Sequence, residues 1–82
     1  MNQEIAIIRG MLAELRQKKL SLEARTAASV RAAKSLLAGF ELRPIREVDI
    51  AGAAIHLRDA EALAEELSAV VKDIAAAERE LA

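Results

Sequence analysis

The residue best suited to acid–base or metal chemistry at neutral pH is the only histidine, His56. Asp59 follows three residues later, so the two share a face if the segment is helical. A di-iron site in a helical bundle places a glutamate three residues before its histidine, and Ala53 stands there instead. One imidazole and one carboxylate leave a metal ion short of ligands. The expected role of His56 is a flank position near a subunit seam, where its protonation can tune assembly between about pH 5 and 7.

Nucleophilic chemistry has even less to work with. The chain has no cysteine, and Ser21, Ser29, Ser35 and Ser68 have neither a second histidine nor a glycine-flanked elbow to activate them. They read as helix-surface or seam residues. Gly10, Gly39 and Gly52 are isolated, so no loop can cradle a phosphate. Gly10 and Gly52 are expected instead where two helices approach closely. No catalytic, cofactor-binding or metal-binding set emerges, and the expectation is a protein that is not an enzyme.

The charges are numerous and segregated. Residues 4–39 carry seven basic residues, Arg9, Arg16, Lys18, Lys19, Arg25, Arg31 and Lys34, against three acidic ones. Residues 49–82 carry eight acidic residues, including the cluster Glu61, Glu65 and Glu66, against three basic ones. The basic run can in principle meet nucleic-acid phosphates. It has no interleaved aromatic residues, however, and the net charge is −1, so neutralisation by the acidic segment is the favoured reading and nucleic acid is disfavoured.

These charges are positioned by helices. Nineteen of the 82 residues are alanine, Phe40 is the single aromatic residue, and glycine and proline together number four. Alanine, leucine, glutamate, lysine and arginine are the strongest helix formers, and their dominance points to long helices or coiled coil. A chain of this length makes one domain, residues 1–82. Apolar runs of at most four residues are too short to span a membrane, and the start Met1-Asn2-Gln3-Glu4 does not resemble a secretion signal. A soluble, cytoplasmic protein is expected.

A first helix is expected over about 4–39, a joint over 40–48 and a second helix over about 49–81. The first stripe runs Ile5, Ile8, Leu12, Leu15, Lys19, Leu22, Thr26, Val30, Ala33, Leu37 and Phe40, with one extra four-residue step near Thr26. Its middle is polar, which reads as register control more readily than as the seat of a partner helix. The second stripe runs Ile50, Ala53, Leu57, Ala60, Ala64, Leu67, Val71, Ile74, Glu78 and Leu81, flanked by Leu63, Val70 and Ala77. Gly39 suits a helix C-terminus, Pro44 stops continuation, and Asp49 suits an N-cap. Phe40, Leu42, Ile45 and Val48 suggest a joint packed over the end of the bundle. A break near Leu20-Ser21, giving three shorter helices, is the competing arrangement.

Helices of matched length joined by a short connection pack antiparallel. Two helices meeting along one alanine-rich seam bury little for a chain this small, which without disulfide or metal usually needs a partner. Dimerisation of the hairpin into a four-helix bundle answers that need, and the wide second stripe supplies a face for it. Leu15, Leu22, Leu67 and the other bulky stripe residues are the candidate packing positions.

The joint Arg43-Pro44-Ile45-Arg46-Glu47-Val48-Asp49-Ile50, followed by an Ala/Leu/Glu helix, resembles small uncharacterised bacterial and prophage-type coiled-coil hairpin proteins. The resemblance implies a helical hairpin and supplies no functional residues. The functional expectation is a self-associating interaction or scaffold module. The alternatives are a small helical chaperone or adaptor for a different protein, and a nucleic-acid binder using the basic helix.

Overall fold

The computed structural model describes residues 2–82. Helix α1 spans Asn2–Leu37 and α2 spans Ile50–Leu81, and the two form an extended hairpin. The strong helix formers around Leu20 and Ser21 carry α1 through without interruption, so the three-helix arrangement does not occur. The molecule is a rod of 65 × 15 × 14 Å with a radius of gyration of 18.7 Å, against about 12 Å for a compact chain of this length.

The joint is built from local signals. Gly39 ends α1 with φ 70°, a left-handed conformation that costs glycine nothing. Two single 3-10 turns follow, Phe40–Leu42 and Ile45–Glu47. Between them Arg43 is extended, as the residue before Pro44 must be. Its guanidinium reaches back and donates to the carbonyls of Leu36 and Ala38 at 3.3 and 3.1 Å. These carbonyls at the helix end have no partner further along α1, so a side chain takes that place. Asp49 caps α2: its carboxylate accepts from the Gly52 amide at 2.9 Å.

Several expectations for the joint need correction. Of its apolar residues only Val48 is buried, while Phe40, Ile45 and above all Leu42, 91% exposed, face solvent. The two short 3-10 turns close the connection too tightly to fold these side chains back over the helix ends. A Cβ on Gly10 would meet nothing within 4 Å, so this glycine is no contact point. A Cβ on Gly52 would collide with the Asp49 carboxylate. Gly52 therefore serves the cap of its own helix and not an approach between helices.

The seam follows a seven-residue repeat along both helices. On α1 the seam positions are Ile8, Leu12, Leu15, Lys19, Leu22, Thr26, Ser29, Ala33 and Leu36, in alternating steps of four and three, with Ala27, Ala32 and Leu37 half-covered beside them. No extra step occurs near Thr26: Ser29 lies in the seam and Val30 is exposed. Polarity favoured the valine, but helix periodicity places the serine inward. The Thr26 hydroxyl donates to Leu22 O at 2.7 Å, which satisfies it within its own helix.

On α2 the seam positions are Ala53, His56, Ala60, Leu63, Leu67, Val70, Ile74, Ala77 and Leu81, with Gly52, Ala54 and Ala75 half-covered beside them. The row read from sequence as a flank, Leu63, Val70 and Ala77, thus faces α1. Ile50, Leu57 and Val71, expected inside the hairpin, lie outside it. One neighbouring helix covers only two of three apolar rows. Turning the other row inward would bring Glu78 into an apolar seam without a partner, a costly burial.

Candidate functional site

The residues with chemical potential do not converge. His56 is half-buried in the seam, and Asp59 is exposed on an outer face. Among the described residues no group of three or more histidine, cysteine or acidic side chains gathers as a metal site would require. Ser21, Ser35 and Ser68 are exposed and separate, and Ser29 is half-buried in the seam. Among the described helices, none is long and apolar enough to cross a membrane.

What the hairpin does organise is its two long edges. On the first edge the repeat brings Arg16, Glu23, Val30 and Leu37 of α1 alongside Ile50, Leu57, Ala64, Val71 and Glu78 of α2. Arg16 Nη2 and Glu78 Oε2 stand 3.8 Å apart across it, the single ion pair among the described residues. Toward the joint this edge carries aliphatic side chains, and a shallow groove there is lined by Thr26, Val30, Ala54, Leu57, Ala60 and Ala64 together with the charged Arg58 and Glu61. Val30 and Leu57 are each 46% exposed there, and Ile50 57%.

The second edge differs in chemistry. Its repeat carries Met11, Lys18 and Arg25 on α1 against Asp59, Glu66, Asp73 and Glu80 on α2. A groove near the open end has an apolar floor of Ile8, Leu15 and Ala77, with Lys18, Asp73 and Glu80 at its rim. Lys18 and Arg25 of α1 face the acidic row of α2 along the middle of this edge. Glu4 and Glu14 add acidic groups to its α1 side toward the open end, so the two sides are complementary in the middle of the edge. Among the described residues, no ion pair within 4 Å joins basic α1 to acidic α2 along this edge.

The candidate packing residues divide accordingly. Leu12, Leu22 and Val70 are buried, and Ile8, Leu15, Leu37, Leu63, Leu67, Ile74 and Leu81 are half-covered. Ile5, Val30, Ile50, Leu57 and Val71 remain exposed on the single hairpin. Sequence reasoning did not anticipate the bond from Arg43 to the end of α1. A basic residue shortly after a C-terminal glycine was the available signal. Comparisons with protein-family models, curated proteins and solved structures find no significant match to this chain.

Proposed function

We propose that this chain is a non-enzymatic interaction module, a helical hairpin that associates with further copies of itself and acts as a scaffold. The observation that carries this reading is surface. The hairpin exposes 6323 Å², whereas surface–mass scaling gives a compact monomer of 8.8 kDa about 4,800 Å². The difference, about 1,500 Å², exceeds the roughly 800 Å² that each partner contributes to a standard stable interface. Twelve large apolar side chains are exposed, and Val30, Ile50, Leu57 and Val71 among them lie along the first edge. Exposed apolar surface in contiguous strips marks interaction sites.

The test is absolute mass in solution, by light scattering after size exclusion across a hundredfold range of concentration. A mass of twice 8.8 kDa or a larger even multiple is expected. A chain that stays single throughout would remove the self-association reading. The adaptor alternative draws support from Phe40, Leu42 and Ile45, whose apolar side chains project from the joint. Under that alternative, helical content rises on mixing with a different protein.

A further inference from the structure

We infer that the aliphatic edge of the hairpin binds a second copy of the chain, with the two α2 helices running antiparallel across a two-fold axis near Glu61. This rests on the self-association reading and names the surface that serves it. Of the two edges, the second is lined mainly by charged residues, with Lys18 and Arg25 of α1 facing Glu66 and Asp73 of α2. The first, toward the joint, presents Val30, Ile50, Leu57 and Val71 to solvent. It is the edge that gains from being covered.

The occupant follows from self-complementarity. A two-fold interface sets the same row against itself in reverse order. Along α2 that row reads Ile50, Leu57, Ala64, Val71. Reversed about a point between Leu57 and Ala64, each Leu57 meets the Ala64 of the other copy, and each Ile50 meets Val71. Large thus faces small at the centre, as interdigitating layers require.

The same axis can be checked on α1, which was not used to place it. The residue covered opposite each layer of α2 sets the matching level on α1 between Ala28 and Ser29. Reversal there puts Val30 against Ala27, Leu20 against Leu37, and Glu23 against Lys34 of the other copy. Apolar positions again meet apolar ones, and an acid meets a base. Leu20, 60% exposed on the single hairpin, acquires a cover by this pairing. The two Glu61 carboxylates approach near the axis, with Arg58 of each copy within a turn of the other's Glu61 to offset them.

The experiment compares Leu57→Lys with Ala69→Lys, which lies on an exposed face away from this edge, in the full chain. Mass and far-ultraviolet circular dichroism are read together. Leu57→Lys places two lysines in the interface and is expected to weaken dimerisation by on the order of a hundredfold while helix is retained. Ala69→Lys is expected to keep the parent's mass. Because the parent lacks cysteine, Glu61→Cys and Glu66→Cys can be treated with a short thiol crosslinker, which needs no change in folding. Covalent dimers are expected from Glu61→Cys and not from Glu66→Cys. If Leu57→Lys keeps the parent's mass, or Glu66→Cys links in place of Glu61→Cys, this surface is overturned while self-association stands. A parent that is single at every concentration overturns both.

Discussion

The open half of the hairpin and the half nearest the joint are held together in different ways. Toward the open end the seam is bulky: Leu12, Leu22 and Val70 are buried, with Leu15, Leu67 and Ile74 beside them. Toward the joint the buried seam residues are Ala33, Ala53 and Ala60. Each alanine gains little from burial, but it lets the helices approach closely. There the backbone is positioned by local bonds: the Asp49 cap, the Gly39 turn and the reach of Arg43. One half depends on contacts distant in sequence, and the other on residues within a turn or two of each other.

Substitutions can break this contrast, beginning with the open half. Leu22→Ala removes a side chain that is 2% exposed, and should cost about 3 kcal/mol through lost burial and an unfilled cavity. Urea unfolding at fixed protein concentration measures it; a cost under about 1 kcal/mol would mean the bulky seam is not where stability resides. Ala53→Leu tests the close approach near the joint. Its added atoms meet a site that is 1% exposed, and a cost of about 2 kcal/mol is expected from overpacking. Unchanged stability would show that the helices there have room to spare.

The local bonds should yield smaller effects. Gly39→Ala places a Cβ at positive φ, where nothing lies within 4 Å to clash, so the expected cost of about 1 kcal/mol is a backbone cost alone. Asp49→Ala removes the cap and should cost about 1 kcal/mol, with the loss visible as faster amide exchange in the first turn of α2. Protection that survives intact would assign the start of α2 to tertiary packing. Arg16→Gln closes the series at about 0.5 kcal/mol or less, because both side chains of its ion pair are more than half exposed. A larger loss, removed by salt, would mean that the open end depends on charge after all.

The parts legible in sequence were those whose causes are local. Helix content follows from the alanine, leucine and charged residues, and the stops and starts at Gly39, Pro44 and Asp49 are backbone chemistry at single positions. The inward stripe of α1 was readable from Ile8 to Thr26 because its apolar spacing is regular. At Val30 the reading followed hydrophobicity where periodicity governed, and Ser29 took the seam. Gly52 was read as an approach point because nothing in its residue type distinguishes room for a neighbouring helix from room for a cap.

By itself, then, the sequence determined that this is a helical chain with a sharp joint between Gly39 and Asp49, and the helix ends to within about two residues. Those choices rest on propensity and capping within a few residues, whereas the unbroken run of α1 past Ser21 was decided only by the structure. Only the tertiary structure decided how α2 is turned about its axis. Its apolar face is three rows wide and α1 covers two, so more than one rotation keeps the seam mostly apolar in one dimension. The chosen rotation puts Leu63, Val70 and Ala77 inward and keeps Glu78 out of the apolar seam. That rotation leaves Leu57 and Val71 on the open edge.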